Sequence, residues 1–89
     1  MDPAVTIPMT PKTLERLLTD LDRSIPTEML PPVSTGKHVA AVVGTTEGSL
    51  AQDRYLKKGI PYTRIGSRVR YLRADVLAFL ASNRVDGDR

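Results

Sequence analysis

Apolar residues recur along this chain at intervals that each name an element. Leu14, Leu17, Leu18 and Leu21 fall at i, i+3, i+4 and i+7. That spacing predicts one apolar stripe on a helix over residues 11–23. Thr10-Pro11 marks its start: a hydroxyl cap, then a proline where a missing N–H is no loss. Glu15, Arg16, Asp20, Asp22 and Arg23 take the other faces. The stripe must bury against something. Packing on its own domain is the first reading, and a dimer or partner-protein contact is the second. Residues 1–9 contain Pro3 and Pro8 without any period and read as a loose arm.

The period breaks between Ile25 and Val33, where Pro26, Pro31 and Pro32 exclude a helix and predict an extended linker. This is the only candidate internal boundary. Helical spacing returns at Val39, Val42 and Val43, behind a Thr35 cap and a first residue Gly36. Gly44 ends that helix, since glycine readily takes the left-handed conformation at a C-terminus. Thr45 or Thr46 caps the next helix, over residues 47–57, with Glu47 in its first turn. Leu50 is its inward anchor with Ala51 close beside it, while Gly48, Ser49, Gln52 and Tyr55 project away. Lys57, Lys58 and Gly59 close it. Two short helices joined this tightly make a helix-turn-helix.

The period then changes from helical to alternating. Tyr62, Ile65, Val69 and Tyr71 interleave with Thr63, Arg64, Arg68 and Arg70, and Gly66-Ser67 supplies the positive φ of a tight hairpin. The expected product is a two-stranded wing with an arginine face. A closing helix spans residues 72–82, with Val76, Phe79 and Leu80 inward. Residues 83–89 form a polar tail.

Charge sharpens this picture. Residues 1–35 carry three basic and five acidic groups, whereas residues 36–89 carry ten basic and five acidic. Between Arg54 and Arg73 lie seven Lys or Arg residues and no Asp or Glu. A helix and a hairpin both rich in cations point to a polyanion, and duplex DNA is the obvious one. Eighty-nine residues suit one small core.

Composition excludes several alternatives. There is no cysteine, so no disulfide framework and no cysteine-based zinc site. His38 is alone, lacks a carboxylate cluster for a metal site, and reads as an exposed residue without a role. No apolar run approaches the length of a membrane span. The opening MDPAVTIPMT lacks the pattern of a secretory signal. No carboxylate pair, nucleophile motif or phosphate-cradling glycine loop is visible. The chain therefore reads as a soluble cytoplasmic non-enzyme, without cofactor or metal.

The order of elements resembles the winged-helix branch of the MerR-like helix-turn-helix proteins, nearest in pattern to phage excisionases and AlpA-type prophage regulators. The resemblance covers residues 33–81. It rests on Ser34-Thr35-Gly36-Lys37, Val42-Val43-Gly44, and Thr46, Ser49 and Leu50. Gly59, Pro61 and Tyr62, then Arg64-Ile65-Gly66 and Arg68-Val69-Arg70-Tyr71, carry it through the wing. Ala74-Asp75-Val76 and Phe79-Leu80 complete it. One position departs. Such proteins commonly carry an aromatic residue beneath the recognition helix where this chain has Asp53, and Tyr55 or Leu56 is expected to fill part of that volume.

The resemblance implies an α+β fold: a mostly helical winged helix-turn-helix at 33–82, preceded by an extra helix within 1–32 and followed by the tail. It implies a recognition helix reading DNA through Thr46, Gly48, Ser49, Gln52, Arg54, Tyr55, Lys57 and Lys58. It implies a wing touching DNA through Arg64, Ser67, Arg68 and Arg70. Within those sets, Gln52 suits adenine, and Arg68 with Ser67 suits the minor groove. Arg54, Lys57, Lys58, Arg64 and Arg70 suit phosphates. The expected function is that of an excisionase. It would bind and bend attachment-site DNA in a bacterial host and direct an integrase towards excision, with self-association on DNA. The alternatives are an AlpA-type transcriptional regulator and a non-DNA adaptor using the leucine stripe.

Overall fold

A computed structural model of the chain describes residues 11–83. The arm at 1–9, the Thr10 cap and the tail from 84 onward lie outside the described residues. Four helices and a three-stranded antiparallel sheet make a small α+β fold. In chain order they are α1 (Pro11–Ser24), β1 (Val33–Ser34), α2 (Gly36–Val43), α3 (Glu47–Tyr55), β2 (Thr63–Ile65), β3 (Arg68–Leu72) and α4 (Arg73–Ser82).

The sheet order is β1-β3-β2, so β3 is central. The expected wing is the β2–β3 pair. The strand β1 was not expected, because two residues after a proline pair show no alternation to read. It pairs Val33 with Leu72 and Ser34 with Tyr71. Arg73 N–H then donates to the Pro32 carbonyl at 2.9 Å and extends the ladder by one bond.

The core draws one or two residues each from α2, α3, β3 and α4 and one each from the segments before β1 and β2: Leu30, Val39, Ala40, Leu50, Ile60, Tyr71, Val76 and Leu77. Two of these correct the sequence reading. Leu30, in the supposed linker, is fully buried at 0% exposure. Residues 26–30 are not extended but coiled into a turn, in which Met29 and Leu30 both donate to the Pro26 carbonyl at 3.0 Å. Proline can accept at the start of such a turn although it cannot donate. In α4, Val76 is buried and the half-buried Phe79 and Leu80 pack against the core as expected, while Leu77 and Ala81 are buried in addition.

The α1 stripe packs on α4, as its first reading had it: Leu18, Leu21 and Ile25 lie against the core. The acidic excess of residues 1–35 comes from Asp2 and Glu28, not from α1. Over the described helix, Lys12, Arg16 and Arg23 balance Glu15, Asp20 and Asp22.

Candidate nucleic-acid interface

The α2–α3 junction is built by caps at both helix starts. The Thr35 side chain accepts from His38 N–H at 3.3 Å, and His38 Nδ1 accepts from Thr35 N–H at 3.1 Å. His38 is therefore a half-buried member of a capping box and not an idle surface residue. Gly44 closes α2 at φ 83°, as expected. Thr46 caps α3 by accepting from Ser49 N–H at 3.0 Å. Both residues belong to the expected DNA-binding set of the recognition helix, and the Thr46 hydroxyl oxygen already has this local task.

Leu50 is buried, which fixes the rotation of α3. Gly48, Gln52 and Tyr55, at i, i+4 and i+7, consequently share the opposite, exposed face. Tyr55 is 81% exposed. Ala51 is exposed as well, so Leu50 is the one buried apolar anchor of this helix. Glu47 could have spoiled a cationic face, but its side chain leans back towards Gly36 at the start of α2. A carboxylate there meets the positive ends of two helices.

The end of α3 differs from expectation. The helix stops at Tyr55 and turns through Leu56, Lys57 and Lys58. Lys58 N–H donates to Asp53 C=O at 2.9 Å and Lys57 N–H to Arg54 C=O at 3.0 Å. These two bonds define a Schellman turn whose left-handed residue is Lys57, at φ 58°. Gly59 follows at φ 85°, and a Cβ there would lie 3.0 Å from the Asp53 carboxylate. Asp53 thus packs on Gly59. Tyr55 and Leu56 are both exposed, at 81% and 50%, while Ile60 and Tyr71 are the buried residues of this region.

Arg54 is half-buried. Its guanidinium donates to the Tyr71 hydroxyl at 2.6 Å and lies 5.8 Å from the centroid of Tyr62. Arg64 approaches the same ring at 6.0 Å. Arg54 is therefore partly spent on holding α3 to the sheet.

The hairpin splits the arginines that alternation had grouped. Facing residues in an antiparallel pair share a side. Arg64 opposes Val69, which packs against the core, so Arg64 lies on the α3 side. Arg68 opposes Ile65 and Arg70 opposes Thr63, on the outer side. Ser67 completes the two-residue loop, with Gly66 at φ 63° the only positive φ in it.

Arg73, the last cation of the acid-free run, is removed from the surface altogether. It is 8% exposed and bonded to Asp22, Ile25 and Leu30. The missed signal is Pro26. It stands four residues after Asp22 and has no N–H to offer that carbonyl.

The described arrangement is thus an exposed face on α3, followed by Lys57 and Lys58 in the turn at its end, with Arg64 on the same side of the hairpin and Arg68 and Arg70 on the other. An open cleft of about 400 Å³ lies where these parts meet, lined by Arg54, Lys57, Lys58, Gly59, Ile60, Pro61 and Tyr62. Among the described residues, no group of three or more His, Cys, Asp or Glu could hold a metal ion, and no helix is long and apolar enough to cross a membrane. No protein-family model, curated protein or solved structure matches the chain at a significant level.

Proposed function

We propose that this chain is a winged helix-turn-helix protein that binds duplex DNA sequence-specifically, acting as a phage or prophage excisionase. One observation carries the reading. The α3 helix presents Gly48, Gln52 and Tyr55 outward on one face, and the turn that follows it exposes Lys57 and Lys58 just beyond the exposed Leu56. A helix fits the major groove, where Gln52 can pair with adenine N6 and N7. Gly48 leaves the helix start free to approach. Lys57, Lys58, Arg64 and Arg70 would hold phosphates, which set register without reading sequence.

The excisionase role rests on the resemblance of residues 33–81. It implies bending of attachment-site DNA, several copies side by side and recruitment of an integrase. An AlpA-type regulator would use the same surfaces. The adaptor reading is weakened, because Leu18 and Leu21 are already engaged within the fold. Footprinting over the chain's own attachment region, with and without the cognate integrase, tests the role directly. Integrase-dependent extension of the footprint is expected. Protection confined to a promoter would favour the regulator.

Two substitutions test the division of labour. Gln52→Ala should cost about 1–3 kcal/mol at the preferred site and relax preference at one or two base pairs. Arg70→Ala should weaken all sequences about equally. If both lower affinity uniformly, α3 is not the reader.

The hairpin tip is tested by flanking sequence. Arg68 stands beside the Gly66-Ser67 loop and is exposed, as entry into a narrow, A·T-rich minor groove requires. Arg68→Ala should lose most affinity on A·T-rich flanks. Equal losses on G·C-rich flanks would make it another phosphate clamp.

A further inference from the structure

We infer that the turn ending α3 is a phosphate-binding cleft, and that Lys57 is kept there for its charge against the preference of the backbone. This deepens the proposed DNA-binding reading, and it can be tested apart from DNA.

The left-handed residue of a Schellman turn has a strong preference for glycine, because a Cβ there crowds the following carbonyl. The chain follows that preference at the end of α2, where Gly44 takes the position. It departs from it at the end of α3, where Lys57 sits at φ 58° with both defining hydrogen bonds formed. Among the described residues, Lys57 is the only non-glycine at positive φ. Glycine does appear two residues later, at Gly59, where φ is 85° and a Cβ would crowd the Asp53 carboxylate at 3.0 Å. Strain of this kind is retained where the side chain has a task.

The surroundings indicate which task. Lys57 lines the same cleft as Arg54 and Lys58, and the lining contains no carboxylate. Tyr62 forms one wall, and its ring lies under the guanidinium of Arg54 on one approach and Arg64 on another. Both arginines are thereby held near the cleft, since a ring face attracts a cation. Asp53, behind Gly59, offsets one of these four positive charges and leaves a local excess of three. Ammonium groups with rotatable donors beside planar guanidinium forks match the oxygens of a phosphate group. That group could come from a DNA backbone or from a free phosphate compound.

The test uses the whole chain, with pyrophosphate as the free probe and a DNA duplex as the other. Amide shifts in wild type should localise pyrophosphate to residues 54–62. Lys57→Gly removes strain and charge together. It should raise Tm by about 4 °C or more, as relief on the order of 1 kcal/mol does for a domain this size. It should also weaken pyrophosphate binding at least fivefold and reduce the DNA salt slope by about 1. Lys57→Gln keeps the strain. It should show the same binding loss without the gain in Tm.

The inference is overturned if pyrophosphate shifts these amides no more than others, or if Lys57→Gly binds it like wild type. If pyrophosphate binds in the cleft and no duplex binds at all, the DNA reading fails while the cleft stands. If duplex binds and pyrophosphate does not reach the cleft, the cleft fails alone.

Discussion

Methionine in place of Arg73 should destabilise the fold by about 3 kcal/mol or more, a large share of what a small domain has. The reason lies in three carbonyls. Asp22 C=O would bond the N–H four residues on, but Pro26 has none. Arg73 Nη2 donates to it at 2.8 Å and to Ile25 C=O at 2.6 Å. Its Nη1 donates to Leu30 C=O at 2.7 Å, beside the fully buried Leu30 side chain. The buried Leu30 acceptor left without a donor costs about 1–3 kcal/mol, and the two part-buried acceptors add a smaller cost each.

The Arg73–Asp22 ion pair, at 3.1 Å, adds less, because the Asp22 side chain is 62% exposed and screened. Thermal or urea unfolding without DNA measures the effect. Arg73→Lys should recover only part of it, since one ammonium cannot reproduce the planar fork. Arg68→Met, on the exposed hairpin, serves as the control and should stay within about 0.5 kcal/mol of wild type. If Arg73→Met matches that control, the staple is not what holds α1 and the 26–30 turn to α4.

This same residue shows where reading the chain stops working. Local signals were legible because their physics is local. The α1 stripe depends on residues three and four apart, the Thr35 and Thr46 caps on the next turn, and Gly44 and Gly66 on their own φ angles. The face of α3 followed from Leu50 alone. What was not legible depends on partners far away in sequence.

Arg73 looks like any other cation until Asp22, 51 residues earlier, is beside it. Leu30 sits among prolines that announce a linker, and only α2, α4 and the sheet closing over it make it core. Arg64, Arg68 and Arg70 share one charge but not one side, because β-pairing register decides which side each takes. Asp53 replaced an expected aromatic residue, and the fold answered with Gly59 against the carboxylate rather than with Tyr55 or Leu56.

Affinity for duplex DNA should fall steeply with salt, with log K against log salt at a slope near −4 to −5. The number comes from a count that the fold refines. Of the seven cations between Arg54 and Arg73, Arg73 is buried and Arg54 is bonded to Tyr71. Lys57, Lys58, Arg64, Arg68 and Arg70 remain as candidate phosphate contacts. Five neutralised phosphates correspond to about −4.5, each releasing slightly less than one counterion. Between 50 and 200 mM salt, the affinity should therefore drop by roughly 250- to 1000-fold.

Fluorescence anisotropy on a labelled duplex over that range is sufficient. A slope shallower than about −2 would falsify a DNA-gripping surface and return the adaptor reading, whose contacts need no polyanion. A slope beyond about −6 would mean that more than these five cations reach the backbone. Arg54 is the nearest reserve, and it would have to leave the Tyr71 hydroxyl on binding. That exchange is separable from the rest. Arg54 holds α3 to the sheet in the free protein, so recruiting it would loosen α3 as DNA binds, whereas Arg70, half-buried, has only to release the Val69 carbonyl of its own strand, to which it donates at 2.8 Å.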